Sequence, residues 1–121
     1  MGETILVVDD DLEMQRTLKD ALEAAGYRVS LCDNGNRVTE CITECKPALL
    51  LLDVMLPGTD GYTLAMRLSE DEATRRLPII VLSGLEPSRG MFSGFPQVAG
   101  FLSKPFEYKE LLDLVGKAIA R

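Results

Sequence analysis

The sequence contains no histidine, and that absence removes the commonest partner of both a bound metal and a catalytic cysteine. Cysteine is also scarce. Cys32, Cys41 and Cys45 are odd in number and show no C-x-x-C spacing, which excludes the usual zinc site and a fully paired disulfide framework and points to a reducing, cytoplasmic setting. Positive charge is in deficit, with 13 basic against 19 acidic residues, a net charge of -6 and a pI near 4.6. Such a field repels nucleic acid and anionic lipid, so neither direct nucleic-acid binding nor membrane association is expected. No apolar run approaches the ~18 residues that span a bilayer, and no basic segment leads into an apolar one at the start. The chain is therefore expected to be neither membrane-spanning nor exported by that route. What is present is ordinary for one domain: 121 residues, of which 46% are apolar, enough to bury one core without disulfide or metal support.

Along the chain, apolar segments alternate with segments of helical period. Ile5 to Val8 is apolar and ends at Asp9, Asp10 and Asp11; Met14, Leu18, Leu22 and Ala25 then form one face of a helix that Asp11 caps and Gly26 closes. Tyr27 to Leu31 reads as a strand broken by Asn34-Gly35. Val38, Cys41, Ile42 and Cys45 recur at i, i+3, i+4 and i+7, which predicts a second helix with its cysteines facing the core as small hydrophobes, stopped by Pro47. Ala48 to Leu52 is apolar at every position, as in a strand covered on both faces, and ends at Asp53. The turn residues Pro57 to Gly61, with Thr59 or Asp60 as cap, precede a helix from about Tyr62 to Leu68. Ile79 to Leu82 is a fourth strand, ending at Ser83-Gly84.

The segment from Glu86 to Gln97 contains Pro87, Gly90, Gly94 and Pro96, so a fourth helix there is expected to be short, broken or irregular. Met91, Phe92 and Phe95 within it read either as a docking patch or as a packed loop. Gly100 to Leu102 makes a brief strand ending at Lys104-Pro105, and Glu107 to Ala120 a last helix with Leu111, Leu112, Val115, Ala118 and Ile119 inward. The alternation predicts an α/β fold, a doubly wound five-stranded parallel sheet with helices on both faces, in which ligands bind beyond the carboxyl ends of the strands.

The unusual polar residues lie at those ends: Asp9 and Asp10, Asp53, Ser83 and Lys104. If adjacent strands bring the three carboxylates together, their repulsion calls for a cation, and magnesium is the natural one because it is hard, oxygen-seeking and held by few carboxylates. Lys104 adds a flexible positive charge and Ser83 a hydroxyl donor. Carboxylate nucleophile, divalent ion and lysine together form a phosphoryl-transfer inventory. The plainer alternatives are an acidic loop at a helix N-terminus, turn residues after strands, and a solvated lysine.

Val7-Val8-Asp9-Asp10-Asp11, Leu52-Asp53-Val54-Met55-Leu56-Pro57-Gly58-Thr59-Asp60-Gly61, Ile80-Val81-Leu82-Ser83-Gly84 and Gly100-Phe101-Leu102-Ser103-Lys104-Pro105-Phe106 occur in this order. Together they resemble the receiver domain of two-component response regulators over essentially the whole chain, 1–121. The resemblance implies a flavodoxin-like strand order 2-1-3-4-5 and Asp53 as phosphoacceptor. It implies metal ligation by Asp10, by Asp9 in support, by Asp53 and by the backbone carbonyl of Met55, with Mg2+ as the ion and Mn2+ as its substitute. Ser83 would be the switch hydroxyl, Lys104 the phosphoryl contact and Phe101 the aromatic switch position. The implied donor is a phosphohistidine on a sensor histidine kinase or histidine phosphotransfer protein. The implied output is a downstream effector outside this chain, and a weak or phosphorylation-dependent dimer is allowed. Such a protein would catalyse its own phosphorylation and slow hydrolysis without turning over a dissociable substrate.

Two departures stand out. The 21 positions from Ser83 to Lys104 suggest a slightly shortened receiver without the usual alanine-rich fourth helix. Met55 and Leu85 are apolar two positions beyond the acceptor and the switch hydroxyl, where polar side chains would assist an attacking water. The alternative to a phosphorylation switch is a pseudo-receiver, a docking module that acts without phosphorylation. A haloacid-dehalogenase-like phosphatase would need a second acid two residues beyond its nucleophile and a cap insertion, neither of which follows Asp9-Asp10-Asp11-Leu12.

Overall fold

In a computed structural model, residues 2–54, 61–83 and 95–120 are described. Five parallel strands, β1 (Thr4–Val8), β2 (Arg28–Cys32), β3 (Leu49–Asp53), β4 (Ile79–Ser83) and β5 (Val98–Ser103), form one sheet in the order β2-β1-β3-β4-β5. Among the described residues the helices are α1 (Leu12–Ala24), α2 (Val38–Cys45), α3 (Gly61–Glu70) and α4 (Tyr108–Ala120), with a 3-10 turn at Gly35–Arg37. The expected fold and strand order are both observed. The expectations for Met55, for the turn at 57–60 and for Leu85 lie outside the described residues, as does most of the 86–97 segment.

The period of two in the strands sorts their side chains between two cores. Leu6, Val8, Leu50, Leu52, Ile79 and Val81 pack with Val38 of α2 and Leu64, Ala65 and Leu68 of α3. Ile5, Val7, Leu49, Leu51, Ile80 and Leu82 pack on the opposite face with Leu18 and Leu22 of α1 and Leu111, Val115 and Ala118 of α4. Leu49 to Leu52 are wholly inaccessible to solvent, which is why this strand tolerates no polar alternation. Burying each leucine contributes about 1.5–3 kcal/mol.

The local signals act largely as expected. Asp11 accepts from the backbone N–H groups of Glu13 at 2.9 Å and Met14 at 3.4 Å, capping α1. At its far end, Gly26 adopts φ +100°, donating to the Glu23 carbonyl while Tyr27 donates to that of Leu22. Ala25, expected on the inward stripe, is exposed, because the chain already turns away there; Gln15 is buried on that face and Ala21 partly so. β2 begins and ends one residue later than expected. Cys32 is buried, whereas Cys41 and Cys45 are half-buried against the α2–α3 core. Burial, and then the adjacent Cys32 thiol, push the Cys41 thiol up to about 11. Phe95 packs against Tyr62 with ring centroids 5.5 Å apart in an edge-to-face arrangement and lies against the α2–α3 core, whereas Met91 and Phe92 lie outside the described residues.

Candidate functional site

The strand order decides the site. β1 lies between β2 and β3, with Val8 opposite Leu52, so the next residues, Asp9 and Asp53, emerge side by side at the carboxyl edge. Asp53 in turn pairs with Leu82 of β4, which places Ser83 one step beyond at the same edge. Ser83 pairs with Ser103 of β5, and the Lys104 N–H donates to the Ser83 carbonyl at 2.8 Å. The Lys104 side chain then runs back across the edge. Its Nζ donates to Asp9 Oδ2 at 3.1 Å and to Asp53 Oδ2 at 3.3 Å.

Asp9 is fully buried, Asp53 and Ser83 nearly so, and Asp10 is exposed. A buried carboxylate requires a compensating charge or donor. Asp9 has both, since its Oδ1 accepts from the Asp11 N–H at 2.9 Å while its Oδ2 faces Lys104. Burial by itself would lower the Lys104 pKa, but Asp53 and Asp9 outweigh it and hold the ammonium above its ordinary value. Lys104 is therefore a firmly charged cation serving two carboxylates.

Asp9, Asp10 and Asp53 each offer a carboxylate oxygen, and these oxygens lie within 4.8 Å of one another. An all-oxygen set with more negative charge than one lysine neutralises fits a hard divalent cation. Asp9, Asp10, Asp53 and Lys104 are thus brought together, with Ser83 at the same edge. Phe101 lies opposite Val81, half-buried against the α2–α3 core. Met55 is outside the described residues.

Two contributors were missed in the sequence. Gln15, only 5% exposed, donates through Nε2 to the Asp9 backbone carbonyl. Its signal was a polar residue three positions before Leu18 on an otherwise apolar face. Gly61 packs where a Cβ would lie 2.8 Å from Val54 Cα and 3.1 Å from the Asp53 carbonyl oxygen. A side chain there would press on the strand end that carries Asp53.

Residues 5–116 match the response regulator receiver domain family. The chain is 39% identical over its full length to the phosphate regulon transcriptional regulatory protein PhoB of Pseudomonas aeruginosa, covering 53% of that protein. It is 38% identical to the response regulator receiver protein CpdR of Brucella abortus, over 95% of each chain. Among solved structures, it matches the receiver domain of the sensor histidine kinase PA1611 of P. aeruginosa, solved with magnesium in its active-site cleft. That match has a TM-score of 0.88 and 30% identity, and covers 100% of both chains. The chain spans about half the length of the first curated relatives, 53%, 49% and 55% of three of them. No helix among the described residues is long and apolar enough to cross a membrane. Since strand order, acidic edge and family match all agree over nearly the whole chain, it belongs to the response regulator receiver domains.

Proposed function

We propose that this chain is a phosphoacceptor switch of a two-component system, located in the cytoplasm, in which Asp53 receives a phosphoryl group from a phosphohistidine. The observation that carries the reading is the single ammonium of Lys104 shared between Asp9 and Asp53, with Asp10 close enough to complete an oxygen cage. Asp10 and Asp53, with Asp9 in support and the Met55 carbonyl as a further ligand, would hold Mg2+, with Mn2+ as a substitute. The bound ion supplies charge neutralisation for the transferring phosphoryl oxygens.

The Asp53 carboxylate attacks phosphorus as the donor's P–N bond breaks, and the bonding electron pair returns to the imidazole. Lys104 exchanges part of its contact with the carboxylates for the new phosphoryl oxygens, staying protonated throughout. Ser83, one residue past the Asp53 register partner, donates its hydroxyl to the same group, and half-buried Phe101 on the neighbouring strand repacks with it. This shifts a two-state equilibrium that a partner reads. The donor is a sensor histidine kinase or histidine phosphotransfer protein, and the reader is an effector protein or domain.

Incubation with an acyl phosphate and Mg2+ should raise the intact mass by one phosphoryl group, and Asp53→Asn should abolish the adduct. No adduct on the unaltered chain, or an adduct retained by D53N, overturns the reading.

A further inference from the structure

The members of the acidic cluster are held very unequally. Asp9 is fixed at three points: Oδ1 by the Asp11 N–H, Oδ2 by Lys104, and its backbone carbonyl by Gln15 Nε2. Asp10 is exposed and makes no hydrogen bond or ion pair with any described residue. Its carboxylate direction therefore depends on its backbone. The Asp9 carbonyl oxygen belongs to the planar peptide unit that joins Asp9 to Asp10, so fixing that oxygen fixes the plane from which the Asp10 Cα and Cβ project.

Gln15 is well suited to this task. Its own N–H is engaged with the Asp11 carbonyl at 2.9 Å as part of α1, so its backbone is rigidly placed. Its side chain lies on the buried face, in line with Leu18 and Leu22, and reaches back to the end of β1. A buried amide among apolar neighbours is unfavourable unless it is hydrogen-bonded, and its Nε2 donates to the carbonyl at the root of the cation site. A hydrophobic residue of similar volume would fill the same space.

We infer that Gln15 is a positioning residue of the cation site: by holding the Asp9–Asp10 peptide plane, it aims the otherwise untethered Asp10 carboxylate toward Asp9 and Asp53. The inference rests on the phosphoacceptor reading. Partners that orient the ligands of a metal site commonly change affinity by 10–100-fold when removed.

The test is Mg2+ titration by calorimetry on the full chain, alongside urea unfolding. Gln15→Met preserves volume and removes the donor, and Gln15→Asn keeps an amide that is one methylene too short. Both should weaken Mg2+ binding by about 10-fold or more, with faster amide hydrogen exchange at Asp10 and Asp11. A purely structural role would shift the unfolding midpoint and leave the Mg2+ Kd of the folded protein unchanged. A Kd within about twofold of the unaltered chain, in whichever variant folds, overturns the inference alone. Failure of the unaltered chain to bind Mg2+ overturns the phosphoacceptor reading, and the inference with it. If neither variant folds, Gln15 is needed for the fold itself and the positioning role is rejected.

Discussion

The two ends of the sheet bury polar groups in opposite ways. At the carboxyl ends, β1 and β3 deliver Asp9 and Asp53 into the interior with one lysine between them. At the amino ends of β4 and β5 the buried polar groups are neutral. Gln97 Nε2 donates to the carbonyls of Thr74 at 3.0 Å and Leu77 at 2.7 Å, and the Thr74 hydroxyl donates to the Leu68 carbonyl at 2.8 Å. These neutral donors satisfy backbone carbonyls at a smaller desolvation cost than a buried charge would carry, although Gln97 Oε1 is itself buried without a hydrogen-bond partner among the described residues. Buried carboxylates in excess of their counter-charge are a costly way to hold a structure together, and suit an edge that exchanges a cation or a phosphoryl group. One end of the sheet is built for stability and the other for chemistry.

Gly61 is where that division should break most clearly, because it packs on the backbone of the reactive edge. Gly61→Ala is expected to cost about 2–3 kcal/mol by overpacking, and also to slow phosphorylation by displacing Asp53. Urea unfolding with a phosphorylation time course would show both losses; a change in stability alone would assign Gly61 to the scaffold.

At the opposite end, Gln97→Met leaves the Thr74 and Leu77 carbonyls without their donor. The expected loss is about 2 kcal/mol of stability, with phosphorylation of the folded protein unaltered. A parallel fall in phosphorylation would show that the two ends are coupled. A smaller effect belongs to Asp11→Ala, which removes the α1 cap while leaving the Asp11 N–H free to hold Asp9. It should lower stability by about 1 kcal/mol, read from the urea midpoint.

The smallest effect concerns Lys104 and pH. Its folded pKa lies above the ordinary 10.5, so its stabilising contribution is complete below that value and is lost as pH rises through the higher folded one. Comparing unaltered chain and Lys104→Met, the stability difference should be flat between about pH 7 and 9 and shrink only above about 10.5. A difference that changes near neutrality would place the relevant titration elsewhere in the site.

Much of this was legible in the sequence for identifiable reasons. Helix α1 announced itself by Asp11, Leu18, Leu22 and Gly26, because caps and apolar spacing are local. β3 was readable because four consecutive leucines satisfy only a strand buried on both faces or a buried helix, and Pro47 and Asp53 leave too little length for a helix. Ala25 was misplaced because period alone does not tell where a helix stops contributing to the core. The cysteines of α2 face the core at their inner edge only, because a helix of eight residues on one side of β1 leaves its flanks open to solvent.

By itself, then, the sequence determined the alternation of strands and helices and the placing of acids, hydroxyl and lysine at strand ends, since each depends on neighbours within a few positions. Only the tertiary structure decided which ends meet. The crossover that seats β1 beside β3 puts Asp9 next to Asp53, and Lys104 reaches Asp9 across 95 positions of chain. The grip of Gln15 on the Asp9 carbonyl and the close seat of Gly61 against Val54 and Asp53 are likewise products of packing. Local periodicity specifies which face a side chain takes, whereas the partner it finds there is set by how the elements stack.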